Sequence, residues 1–406
     1  MIVSLGLILF SGFLIGFIFE KIKVPKVVGM ILVGILFGPS VLNILDSKLI
    51  ELSPYLRQIA LVVILTRSGL SLNFKNLKKI GRPAILMCFI PATFEIVAVA
   101  IFGPILLNIS IIEALLLGTV LAAISPAIVV PRMIKLKNEG YGEDKNIPEL
   151  IMAGSSADDV YVIVLFYAFL KMTQGGSLDA WTIAQIPISI VLGITIGVAV
   201  GFLLGHIFKK INISTVIKIL IVMSLSFLMI GIEELLKQFI SVSSLLGVVA
   251  MGIVIFLKVK DQASEIEKGY SKIWTFFEII LFVLVGISVD LKYALSAGFM
   301  PIVLLLIALV FRMIGVFVSL LLTNYNMKEK FFIMFAYIPK ATVQASIGAV
   351  ALSFGLDCGP IILTMAVLSI LITAPLGAIL IDTTYKKLIK KPVESNVEVE
   401  TLEEGT

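Results

Sequence analysis

Charge is scarce in this chain. Only 15% of its 406 residues are Asp, Glu, Lys or Arg, 59% are hydrophobic, and the mean hydropathy is +1.11. That balance excludes a soluble globular protein of this length, which would not need so much apolar sequence. It leaves a polytopic helical membrane protein. Cysteine is almost missing as well. Cys88 and Cys358 are expected on opposite membrane faces, which argues against a disulfide. The apolar run from Ile2 has no basic stretch before it and no small-residue cleavage site after it, so it reads as a spanning helix and not a signal peptide. A net charge of +5 fits basic loops at one membrane face, with no call for nucleic acid as a partner. The single histidine, His206, sits near Lys209, where an incidental interfacial role competes with pH sensing.

What is present is long apolar sequence. Thirteen runs fall near 2–20, 26–43, 55–73, 83–108, 111–135, 147–172, 182–209, 214–236, 239–258, 272–290, 297–323, 329–355 and 359–385. Loops after the odd-numbered runs, with the C-terminal flank, hold 24 lysines and arginines, and loops after the even-numbered runs hold 4. The bias predicts an N-terminus outside, a C-terminus in the cytoplasm and a multi-pass protein of the cell membrane. The acidic stretch after Pro392 lacks aromatics and is expected to be a disordered cytoplasmic tail.

The basic residues left inside spans are Arg57, Arg67, Arg312 and Lys340. Snorkelling accounts for the first two, which lie toward the ends of the third run. Arg312 and Lys340 lie deep, and so do Glu95, Asp158 and Asp159. An ionised Asp at the middle of a spanning helix costs about 2.5–3.5 kcal/mol, so buried charges at one depth are expected to face inward and pair. Glu95 and Lys340 are read as one such pair, joining the fourth run to the twelfth. Glu278, in the tenth run, is read either as a paired scaffold residue or as a pH sensor. Gly29, Gly34 and Gly38 form a small-residue face suited to close helix packing.

Pro126 and Pro339 stand near the middle of the fifth and twelfth runs, and each deletes a backbone donor. Irregular backbone at membrane depth survives only inside protein or beside water. The two runs are seven apart and so run in opposite directions. Two sets of six flanking the seventh span fit an inverted repeat, in which broken helices meet at a binding site.

Four motifs carry a resemblance: RSGLSLN (67–73), SPAIVVP (125–131), SSADD (155–159) and PKATVQASIG (339–348). Together they resemble the monovalent cation/proton antiporter superfamily, in its two-aspartate group, closest to the NHA-type sodium/proton antiporters. The resemblance covers the chain to about residue 385. It implies an all-α, NhaA-like antiporter fold of about 13 transmembrane helices, with two discontinuous crossed helices, and a homodimer. By that resemblance residues 1–73 and 214–290 form the dimer scaffold, 83–172 and 297–385 the moving core, 182–209 a linker, and 386–406 the tail. It makes Asp159 the principal ion and proton carboxylate, and it pairs Asp158 with Arg312. The best-known two-aspartate members have lysine at the latter position. Arginine does not release its proton, which favours one cation per proton.

The residues themselves suggest a mechanism. A hard monovalent cation such as Na⁺ or Li⁺ takes oxygen ligands. Asp159 offers a charged one, Ser155 lies one turn earlier on the same face, and Ser125 with the carbonyls around 124–127 can add more. Burial, Asp158 and Arg312 together decide whether Asp159 protonates near cellular pH. Proton and metal ion then compete for one carboxylate. No catalytic residue and no cofactor is expected. An intramembrane aspartyl protease needs aspartates facing each other from different helices, whereas Asp158 and Asp159 are neighbours on one. A potassium/proton antiporter or potassium efflux protein on the same scaffold, a sensor without transport, and a sodium-coupled organic-anion symporter remain the alternatives.

Overall fold

A computed structural model describes residues 1–71, 81–174, 180–211, 213–236, 242–296 and 298–391. The basic cluster Lys75, Lys78 and Lys79, the end of the first motif and the acidic stretch from Pro392 lie outside these residues, whereas the helix Gly359–Leu388 continues into the stretch expected as tail. The described residues are helical, with no strand among them. Ten of the apolar segments are long enough to cross a membrane, and Lys26–Phe37, Ser244–Lys258 and Thr342–Ser353 are shorter. The protein is therefore a multi-pass membrane protein. Both cysteines are free.

One set of helices comprises α1 (Ile2–Lys21), α2 (Lys26–Phe37) and α3 (Ser47–Ser71), then α10 (Thr215–Leu236), α11 (Ser244–Lys258) and α12 (Lys260–Ile287). They pack on one another, and α9 (Ala180–Lys210) lies along α11. Backbones meet closely at glycine. A Cβ on Gly34 would strike the Val283 carbonyl on α12, and one on Gly286 would strike α2 in return. Of the expected small-residue face, Gly34 and Gly38 lie against α12, whereas Gly29 faces Ile15 and Phe19 of α1. Close backbone approach supplies dispersion where lipid removes the hydrophobic drive between helices.

The second set carries the breaks. It comprises α4 (Arg82–Met87), α5 (Ile90–Leu107), α6 (Ile111–Ala122), α7 (Pro126–Asn138) and α8 (Ile147–Gln174). After the short α13 (Leu291–Ser296) come α14 (Met300–Ser319), α15 (Met327–Ala336), α16 (Thr342–Ile347), α17 (Val350–Ser353) and α18 (Gly359–Leu388). The fifth apolar run is thus interrupted between Ala122 and Pro126, and the twelfth between Ala336 and Thr342. Each interrupted run starts with a capping box, Ser110 with Glu113 on α6 and Asn326 with Glu329 on α15.

Boundaries differ from the hydropathy reading where polar turns extend an apolar helix. Helix α12 begins at Lys260, not near 272, and α3 begins at Ser47, not near 55. The fourth run breaks at Cys88–Phe89, because Pro91 in the first turn of α5 cannot donate to the preceding turn. Arg57 does not snorkel. It is buried and donates to Ser288 Oγ at 2.5 Å, while Arg67 pairs with Glu267 at 3.1 Å. Polar partners on α12 and at its C-terminal cap outcompete the membrane edge for both.

Candidate cation site

The two breaks meet. The Ser125 amide donates to the Pro339 carbonyl at 2.8 Å, so the non-helical segments 123–125 and 337–341 meet. Proline has no amide to give, and here it sits where each helix must stop or restart: Pro126 opens α7 and Pro339 lies inside the second break. The other backbone groups freed by the breaks find side chains. Lys340 N donates to Thr373 Oγ1 at 3.0 Å, and Gln344 Nε2 donates to the Ala123 carbonyl at 2.8 Å.

Charge fills the crossing. Arg312 Nη2 reaches Asp158 Oδ2 at 2.8 Å, its Nη1 reaches Glu95 Oε2 at 3.0 Å and its Nε donates to the Tyr337 carbonyl at 2.9 Å. Lys340 Nζ lies 2.7 Å from Glu95 Oε1. Arg312 also donates to the carbonyl of Ala122, and Lys340 to that of Leu121, at the C-terminus of α6, the negative end of a helix dipole. Asp158 Oδ2 accepts from the Ile124 amide at 3.1 Å as well. All four side chains are fully buried. The two expected pairs are therefore one chain, Asp158–Arg312–Glu95–Lys340, because Glu95 accepts from both bases. Close approach of α14 to α5 allows this: Gly315, one turn past Arg312, sits where a Cβ would lie 2.8 Å from Pro91 Cα.

Asp159 stands apart from that chain. No ion pair to it forms among the described residues, and its Oδ1 has no hydrogen-bond partner although it is buried. It lines a cavity of about 1030 Å³ between the two helix sets. The first turns of α7 and α16, through Pro126, Ala127 and Thr342, line it too, and it reaches Lys23, Arg67 and Arg132 at the helix ends. A second void of only about 20 Å³ touches Asp159 among Leu61, Leu65, Ile163 and Ile347. The arrangement puts one unpaired carboxyl beside two helix N-termini and within reach of water. It can exchange a proton, or hold a small hard cation with nearby oxygens.

The remaining expected ligands lie behind the wall. Ser125 and Ser155 are fully buried and do not line the cavity. The Ser125 hydroxyl is unpartnered, and that of Ser155 donates to the Met152 carbonyl at 3.0 Å. Thr342 was not singled out from sequence, nor were Gln344 and Thr373. The signal for Gln344 was available, since it is a polar residue one turn after Lys340 in an apolar run. Glu278 pairs with Lys26 at 2.7 Å, and His206 is exposed on α9.

A multi-pass helical protein with two crossed, interrupted helices and a buried carboxylate at their meeting point defines an ion-transporter fold. Comparison with known proteins makes that specific. The family model described as sodium/hydrogen exchanger, transmembrane, matches residues 6–387, and the chain belongs to this family. Mouse sodium/hydrogen exchanger 9B2 is 34% identical over 399 residues, which covers 93% of this chain and 71% of that protein. Mouse sodium/hydrogen exchanger 9B1 is 34% identical over 410 residues, 96% of this chain and 71% of its own length. Among solved structures, the sodium proton antiporter MjNhaP1 from Methanocaldococcus jannaschii at pH 8 aligns with a TM-score of 0.78 at 20% identity. The alignment covers 95% of this chain and 99% of that one, and it shows the shared fold.

Proposed function

We propose that this protein exchanges Na⁺ or Li⁺ for H⁺ by alternating access, with the metal ion and the proton competing for Asp159. The observation that carries the reading is the contrast at one depth of the membrane. Four buried charges pair into a chain of net zero charge, and the fifth, on Asp159, has no ion-pair partner among the described residues and faces the cavity. A structural carboxylate would be paired, since a bare buried charge is costly. A carrier must be left free to bind.

In this reading Asp159 holds either H⁺ or the cation, and Thr342, Ser125 and Ser155 supply nearby oxygens as the core shifts. Asp158, Arg312, Glu95 and Lys340 tie the crossing together, so that the unwound segments move as one body. The bound site is neutral with either ion, which gives one cation per proton and no net charge moved. Spans 4–6 and 11–13 act as the moving core, and spans 1–3 and 8–10 act as the scaffold of a homodimer in the cell membrane. The C-terminus and the mouth of the cavity lie in the cytoplasm, in keeping with the basic loops. Membership of the sodium/hydrogen exchanger family supports Na⁺ over K⁺ as the transported ion.

The test is a cation screen in proteoliposomes loaded with a pH dye, run with and without an imposed voltage. The reading expects Na⁺ or Li⁺ pulses to collapse a pH gradient at a rate that voltage leaves unchanged. It also expects the apparent KM for Na⁺ to rise as pH falls, because the competing proton becomes more abundant. A response to K⁺ alone would refute the ion assignment, and a voltage-dependent rate would refute the stoichiometry.

A further inference from the structure

The cavity that ends at Asp159 also has four glutamates in its wall, Glu20, Glu149, Glu267 and Glu278, which the exchange reaction does not use. Helix α12 presents Glu267, Ser271, Trp274 and Glu278 to it. Glu267 and Glu278 are eleven residues apart, a little over three helical turns, so both face the same way and Glu278 lies about 16 Å deeper. The outer acid is matched by Arg67 at 3.1 Å and is partly exposed. The inner one differs. Its carboxylate is almost buried, at 3% side-chain exposure, and its partner is the Lys26 ammonium at 2.7 Å, on a side chain 40% exposed.

Those two exposures give the partners unequal freedom. The carboxylate is fixed in the wall, whereas lysine is a compact cation on a flexible four-carbon stem that can withdraw into cavity water. A cation passing from the mouth to Asp159 must shed its hydration shell, and a carboxylate part-way lowers that barrier as a charged wall focuses counter-ions. Resting on the proposed cation/proton exchange, we infer that Glu278 is a relay site at which a monovalent cation displaces the Lys26 ammonium before it reaches Asp159. Lys26 is then a tethered competitor, holding the relay neutral when no cation is present and closing it behind one that has moved on. The pair sits wholly on the scaffold set, α2 against α12, so it does not move with the carrier carboxylate.

A purely structural tie makes a different prediction, because removing either partner breaks the same bond. In proteoliposomes, Glu278→Gln is expected to raise the KM for Na⁺ roughly tenfold, at the lower end of what such charge focusing achieves, with kcat kept. Lys26→Gln is expected to lower KM, since the competitor is gone and the carboxylate remains. The double variant should follow Glu278→Gln. Should Lys26→Gln fail to fold with an uncompensated acid, the double variant and Glu278→Gln still decide the matter. KM shifts of the same sign in both single variants, or unchanged KM in Glu278→Gln and the double variant, would overturn the relay. Wild-type protein without Na⁺-driven proton movement would instead overturn the exchange reading itself, so the two failures are distinguishable.

Discussion

The two walls of the cavity are built on different principles. The wall made by α2, α3 and α12 is continuous helix, locked by glycine contacts such as Gly34 against Gly286, and its charges pair at two levels, Arg67 with Glu267 nearer the mouth and Lys26 with Glu278 deeper. The wall made by α7, α8 and α16 holds the restarts of both broken helices beside one continuous helix, stitched by charges that are fully buried. Backbone contact makes a stiff platform but offers no ligands. Unwound backbone offers carbonyls and helix ends, and here its cohesion comes from ion pairs in place of the missing helical bonds.

The comparison can be broken most severely at Asp159. Asp159→Asn is expected to reduce Na⁺/H⁺ exchange to background while leaving the thermal midpoint in detergent close to wild type, because Asp159 belongs to no ion pair among the described residues. Residual Na⁺-driven proton flux would count against it. Next comes its neighbour. Asp158→Asn leaves Arg312 with a deficit of buried negative charge and is expected to cost about 3–5 kcal/mol of stability, read as a large drop in thermal midpoint. An unchanged midpoint would show that the core is not held by this chain. The smallest effect tests the scaffold: Gly34→Ala forces α2 off α12 and is expected to cost about 1–3 kcal/mol, with the Na⁺ KM unchanged. A shifted KM without destabilisation would mean that the platform takes part in binding.

Much of this was legible in the sequence, and the reasons are specific. A charge in a membrane span is so costly that Glu95, Asp158, Asp159, Arg312 and Lys340 identified themselves by position alone. The two interruptions were visible as Pro126 and Pro339. The capping boxes at Ser110 and Asn326, equivalent starts of the two broken runs, were also readable and would have strengthened the repeat. Which charges share a partner was not readable, because Glu95 joins Arg312 to Lys340 only through the approach of α14 to α5 at Gly315. The cavity wall was equally hidden. Ser155 has the right helical spacing to Asp159, yet its hydroxyl is turned to the Met152 carbonyl, and Thr342 reaches the cavity from a helix far away in sequence. Helix ends were misplaced where a polar turn continues an apolar span, as in α12, since hydropathy detects the membrane and not the hydrogen-bond ladder.

Proton release on metal binding tests the competition without any transport. Purified protein in weakly buffered detergent, at a pH where exchange is active and the carboxyl is still largely protonated, is titrated with NaCl against a choline control. Asp159 as a shared ligand predicts release of up to about one proton per chain, saturating with Na⁺, and none from Asp159→Asn. Saturable Na⁺ binding with no proton release, or equal release from the Asn variant, would contradict it.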